Sequence, residues 1–394
     1  MCNHIRPIVT FFCLLLLLPV PVVAGNEAET LEEKVIQTQL DQLQTEEVES
    51  FWRELREEYG RFLPGEQADD VFQWVLSQER GWGLTDWGKA LAAYLFHEVL
   101  YNGRLLGTII VLTVFSMILR TLQTAFERNQ VSKIAYAIAF IVIIILAMDS
   151  FSIAVESAKA AISRMIGFML ALVPLVLTLL ASMGNFGSVG MFHPMIVLMI
   201  HVIGTLIHTV VFPLLFCSAI LGIISALSEK YKVNQLANLL RKVSVGLLGT
   251  LLTVFLGVIS VQGATAAVTD GVTIRTAKYL TGNFVPVVGR MFSDAADTVV
   301  GASLLVKNAV GMAGVVILLI TIAFPALKIL SLSLVYSFSA AVMQPLGNNP
   351  IIECLNIISR TLMYVFAALA TVGLMFFLAI TIIVAAGNLS VMIR

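Results

Sequence analysis

Charge is what this chain has least of. Asp, Glu, Lys and Arg make up 12% of its 394 residues, about half the share of a soluble domain, while 58% are hydrophobic. The formal net charge of −1 leaves no basic surplus for a phosphate backbone, so a nucleic-acid-binding role is excluded. Cysteine is also scarce. Of four cysteines, Cys2 and Cys13 fall within the first 24 residues, and Cys217 and Cys354 sit in or beside apolar runs. No disulfide framework or thiolate metal site is supported. No GxxxxGK[ST] loop, dinucleotide fingerprint or HExxH occurs, which removes a nucleotide-driven motor, a nicotinamide enzyme and a zinc protease. Nor is there an internal repeat of the kind many secondary transporters carry.

Long apolar runs fill the space that charge leaves. They are Leu105–Leu119, Ile134–Val155, Met165–Met183, Met195–Leu227, Val243–Val261, Val310–Met343 and Thr361–Ala386. Several reach the roughly 20 residues of helix that cross a bilayer. The mean hydropathy of +0.93 agrees. The fold class is an all-α polytopic integral membrane protein. Pro213 and Pro325 interrupt the two longest runs, each a kinked helix or a pair of short ones, so the count is seven to nine apolar segments.

The chain divides into five regions. Residues 1–24 read as a signal peptide, with Arg6 ahead of a short apolar core and Val22 and Ala24 at the small positions before a cut. An uncleaved anchor is the alternative. Residues 25–100 hold 17 acidic and 6 basic side chains, a net charge of −11, and read as a small acidic helical region outside the cytoplasm. Residues 101–261 and 310–394 are membrane regions. The basic stretches 120–133 and 229–242 belong on the cytoplasmic side. Reaching both from the same side requires an even number of crossings between them. Four spans split at Pro213, or a re-entrant third segment ending at "SMGNFGSVG", would supply it.

Residues 262–309 then fall on the non-cytoplasmic side, as an amphipathic segment at the membrane interface. Within it, "NFVPVVGRMFSDAADTVVGASLLVKNA" combines charges with apolar patches that need a covering surface. Pro286 and Gly289 set its bend, and Asp294 and Asp297, three apart, share a helix face. No histidine or further ligand accompanies the aspartates, so the segment reads as an assembly or conduit surface, with internal packing as the bland alternative. His201 and His208, two turns apart, are the candidate intramembrane polar residues. No acidic residue accompanies them before Glu229, so interhelical hydrogen bonding is favoured over a proton path or metal site. Catalytic residues, cofactors and metals are expected to be none. Gly246, Gly249, Gly257 and Gly263 allow close helix packing, leaving a homo-oligomer open.

Three stretches carry a family resemblance. "PLLFCSAILGIISALSEKYKVNQLANLLRK" at 213–242, "QGATAAVTDGVTIRTAKYL" at 262–280 and "KYLTGNFVPVVGRMFSDAADTVVGASLLVKNAVG" at 278–311 resemble the stage III sporulation protein AE family of endospore-forming bacteria. The resemblance covers the chain from about residue 90. It implies a membrane component of a secretion-like channel complex in the mother-cell membrane around the forespore, required for forespore development. It implies as partners the other membrane proteins of the stage III operon and a forespore membrane protein. From the residues alone, a secondary transporter of a small solute or ion, using kinked helices at Pro213 and Pro325, is the alternative.

Overall fold

The computed structural model describes residues 45–63, 71–72, 84–125, 130–227, 232–284, 288–346 and 350–392. Residues 1–24, and with them the expected signal peptide, lie outside the described residues. Helix is the recurring element: α1 Glu46–Tyr59, α2 Leu84–Tyr101, α3 Gly103–Ala125, α4 Gln130–Ser182, α5 Phe186–Leu206, α6 Phe212–Leu227, α7 Asn234–Phe284, α8 Val288–Met343 and α9 Pro350–Met392. A π-helical turn, Ile207–Val211, joins α5 to α6, and a short 3-10 turn, Gln344–Leu346, ends α8.

Among the described residues five stretches are long and apolar enough to cross a membrane: Ile134–Ser182, Phe186–Ala226, Asn234–Val272, Val300–Met343 and Pro350–Asn388. A sixth is added if α2 and α3, which meet at a 40° bend, are counted as one span. The apolar runs of the sequence thus fall on fewer, longer helices. Ile134–Val155 and Met165–Met183 share the 53-residue α4. The residues between them, Glu156–Arg164, include three alanines and no glycine or proline, so nothing there favours a break. The run Met195–Leu227 is one descending path. Its π turn has a local cause in Pro213, whose ring would press on the carbonyl of Thr209 in a regular helix. The widened turn relieves this, and the Phe212 N–H reaches the Ile207 carbonyl five residues back. Between the two basic stretches the structure thus has two long apolar paths, α4 and α5–α6, and not the four spans or the re-entrant third segment expected.

Helices α4, α8 and α9 make the centre of the bundle, and α7 packs from outside on α5, α6 and α9. The α8–α9 pair is antiparallel and close. A Cβ on Gly311 would lie 2.5 Å from Val384, and one on Gly373 2.5 Å from Ile322, so a larger residue at either place would force the facing side chain to shift. Further down the pair, Ser333 and Ser359 exchange hydroxyl-to-carbonyl hydrogen bonds of 3.0 Å. Phe168, Phe324, Tyr336 and Phe376 fill the interior.

The amphipathic α1 docks on the flank of this core. Its apolar side is regular, with Val48, Trp52, Leu55 and Tyr59 buried. Phe51 meets Phe168 edge-on at 5.5 Å, and Tyr59 stacks on Phe324 at 4.3 Å. Phe62 and Tyr94 complete an aromatic cluster around Phe324. Arg164 of α4 donates to Glu58 at 2.5 Å and lies 3.7 Å from Glu54. Burial, then the hydrogen bond to Glu58, pushes the Tyr59 phenol above its ordinary value.

Candidate functional site

Two groups of buried polar side chains lie at one end of the bundle, where α4 turns into α5. The turn itself follows from the sequence. Gly184 takes a left-handed φ of 84°, open to glycine at little cost, and Asn185 precedes the first residue of α5. The first N–H groups of a helix have no partner within it. Here Asp270, reaching across from α7, supplies one. The Gly187 N–H donates to its Oδ1 at 3.0 Å and the Ser188 N–H to its Oδ2 at 3.1 Å. The Ser188 hydroxyl also donates to Oδ2. Asp270 is 2% exposed, and its negative charge faces the positive end of the α5 dipole. A Cβ on Gly187 would lie 2.7 Å from Oδ1, so the carboxylate fits only against glycine.

The second group joins α8 to α9. Lys307 is fully buried, and its Nζ donates to the Val384 carbonyl at 2.9 Å and to Asn388 Oδ1 at 2.5 Å. Gly387 makes room for it, because a Cβ there would lie 2.6 Å from Nζ and 2.5 Å from Leu180 of α4. Among the described residues this ammonium is held by neutral acceptors and not by an opposite charge. Together the two groups tie α4, α5, α7, α8 and α9 at one level, several helical turns before α7 ends at Phe284 and several after α8 starts at Val288.

The sequence candidates distribute differently. Pro286 lies outside the described residues. Gly289, Asp294 and Asp297 are placed by the backbone in the first part of α8, on one continuous helix with Lys307, while their side chains lie outside the described ones. Residues 262–284 continue α7 to its end, with no break before Phe284, and Asp270 within them points into the bundle. The amphipathic stretch read there is therefore the upper part of a long helix.

His201 and His208 do not converge. His201 is exposed and its Nδ1 bonds the Val197 carbonyl of its own helix at 2.8 Å. His208, in the π turn, faces α4, with Nε2 3.5 Å from Ser163 Oγ. Among the described residues no group of three His, Cys, Asp or Glu side chains is placed to hold a metal ion. Sequence reasoning passed over Asp270, Lys307 and Asn388. The signal available was a single charge inside an otherwise uncharged helical stretch, which lipid or protein interior tolerates only when it is partnered.

Comparison with known proteins adds a different kind of observation. The family model for stage III sporulation protein AE matches residues 67–387. The stage III sporulation protein AE of Bacillus subtilis (strain 168) is 52% identical over 369 residues, covering 94% of this chain and 92% of that protein. No solved structure matches.

Proposed function

Because the chain belongs to the stage III sporulation protein AE family, we propose that it is the polytopic member of a secretion-like channel complex joining mother cell and forespore, required for forespore development. The family match over most of the chain carries this reading. In it the protein enters the mother-cell membrane around the forespore behind a signal peptide. The acidic region 25–100 and the tip formed by the end of α7 and the start of α8 stand on the non-cytoplasmic side. There they face the other membrane proteins of the stage III operon and a forespore membrane protein.

The structure supports a scaffolding part in such a complex. The tip around 283–309 is carried on two long helices tied below it by Asp270 and Lys307. An in-frame deletion in the source organism tests the reading. Growth is expected to be normal, with sporulation halting after engulfment and heat-resistant spores falling by orders of magnitude. Normal spore yield, or a solute-uptake defect in vegetative cells instead, would sink it.

A further inference from the structure

Two arginines meet where α7 and α9 run side by side. The two helices are parallel, since Arg241 packs on Tyr364 near their starts and Gly263 on Ile382 further along. The Arg241 guanidinium is held in place. Its Cζ lies 5.3 Å from the centre of the Tyr364 ring, its Nη1 donates to Asn238 Oδ1 at 3.3 Å, and its Nε is buried without an acceptor. Arg360 stands one turn before Tyr364 on the same face of α9, close enough to Arg241 for the two positive charges to repel. Lys242, next along α7, is exposed.

No carboxylate balances these charges among the described residues, whose ion pairs are Lys89 with Asp86 and Arg164 with Glu54 and Glu58. On α9 the nearest acidic residue in sequence, Glu353, comes seven residues before Arg360, about 10 Å along the helix. Two facing guanidiniums cost free energy unless an anion joins them. A half-buried one, poorly screened by water, gains most from that anion.

The position says where the anion comes from. Arg241 and Lys242 are the last charges of α7 before the uncharged stretch Val243–Thr269, and Arg360 is the last of α9 before Thr361–Ile393. Apolar side chains face outward at once beyond them, with Val243 49% and Val245 43% exposed. Charges at the foot of two long apolar helices mark the level at which lipid chains give way to headgroups. We propose that Arg241 and Arg360, with Lys242 at the rim, hold the phosphate of an anionic phospholipid whose chains lie against the uncharged part of α7. Paired guanidiniums fit phosphate oxygens through forked hydrogen bonds. A zwitterionic headgroup would bring its own cation towards three others, so the site selects a lipid of net negative charge. This inference needs the membrane reading of the helices and not the sporulation reading.

Native mass spectrometry of the full-length chain in detergent tests it, with phosphatidylglycerol or phosphatidylcholine added at matched concentration. The unaltered protein is expected to retain phosphatidylglycerol and to shed phosphatidylcholine. Arg241→Gln with Arg360→Gln should weaken that retention about tenfold or more, as the loss of charge-assisted contacts requires. Arg241→Lys with Arg360→Lys keeps the charge without the fork and should fall between. Arg61→Gln with Lys89→Gln removes the same charge from the acidic region and should change nothing. Thermal midpoints in lipid-free detergent check that each variant is folded, and the lysine variant decides should the glutamine one unfold. Equal retention of the two lipids by the unaltered protein, or undiminished phosphatidylglycerol on the folded variants, overturns the site. A thermal midpoint raised as much by inorganic phosphate as by phosphatidylglycerol overturns the lipid as its source. None of these outcomes touches the deletion phenotype that tests the proposed function.

Discussion

Lys307 and Asp270 show how few polar side chains set the end of this bundle. Lys307→Ala removes both of its hydrogen bonds and leaves a void in the packed α8–α9 contact, a loss of about 2–4 kcal/mol. Lys307→Met keeps the volume and removes a buried charge, so it is expected to cost far less or to stabilise. Thermal midpoints of the two variants in detergent check this order, and equal midpoints would contradict it. Asp270→Ala strands two buried N–H groups at the start of α5, each worth about 1–3 kcal/mol. Its expected signature is faster hydrogen exchange at 186–190, with Asp270→Asn intermediate because one amide oxygen can still accept. Neither residue's role was legible in the sequence. Most of their partners are backbone groups, the Val384 carbonyl and the Gly187 and Ser188 N–H, which carry no residue-type signal, and the side-chain partners Asn388 and Ser188 lie over eighty residues away.

At the scale of elements, apolar periodicity foretold helices throughout, and the described elements are helical. Their ends were harder. Two apolar runs fused into α4 because the charged residues between them are good helix formers, and charge by itself does not stop a helix. Pro213 marked a real departure from α-geometry, a π turn, while Pro174 and Pro325 sit inside helices that continue through them. The helical character of the acidic region was visible; the landing place of α1 was not, since Phe168 and Phe324 are over a hundred residues away. That landing place is chiefly aromatic. The Arg164 contacts are part-exposed and worth only about 0.2–1 kcal/mol, whereas the buried Tyr59 stacked on Phe324 contributes about 3–5 kcal/mol on truncation. Tyr59→Ala should therefore open α1 to protease, and Arg164→Ala should not. Release of α1 by 0.5 M salt from the unaltered protein would reverse that ranking.

For the whole molecule, composition settled the class and the resemblance settled the family, each by a signal spread over many residues. The candidate segment 283–309 was singled out for its unusual mixture of charge and small residues; its described backbone is the end of α7 and the first part of α8. Neutralising the face tests whether it matters. Asp294→Asn with Asp297→Asn is expected to leave protein level and thermal midpoint unchanged and to lower both spore yield and recovery of the stage III partners on co-purification. Full sporulation with both aspartates neutralised would remove any role for that face.

The crosslink from Asp270 to the start of α5 also sets an order in time. The chain is made from its N-terminus, so Gly187 and Ser188 leave the ribosome more than eighty residues before the carboxylate that caps them. Until α7 is made, the turn at Gly184 connects a finished α4 to an α5 whose first N–H groups have no protein acceptor from that helix. The cap on the α4–α5 turn is therefore expected to form only when residue 270 arrives. A chain arrested shortly before Asp270 should leave the turn open to a protease that a chain arrested a few turns later resists.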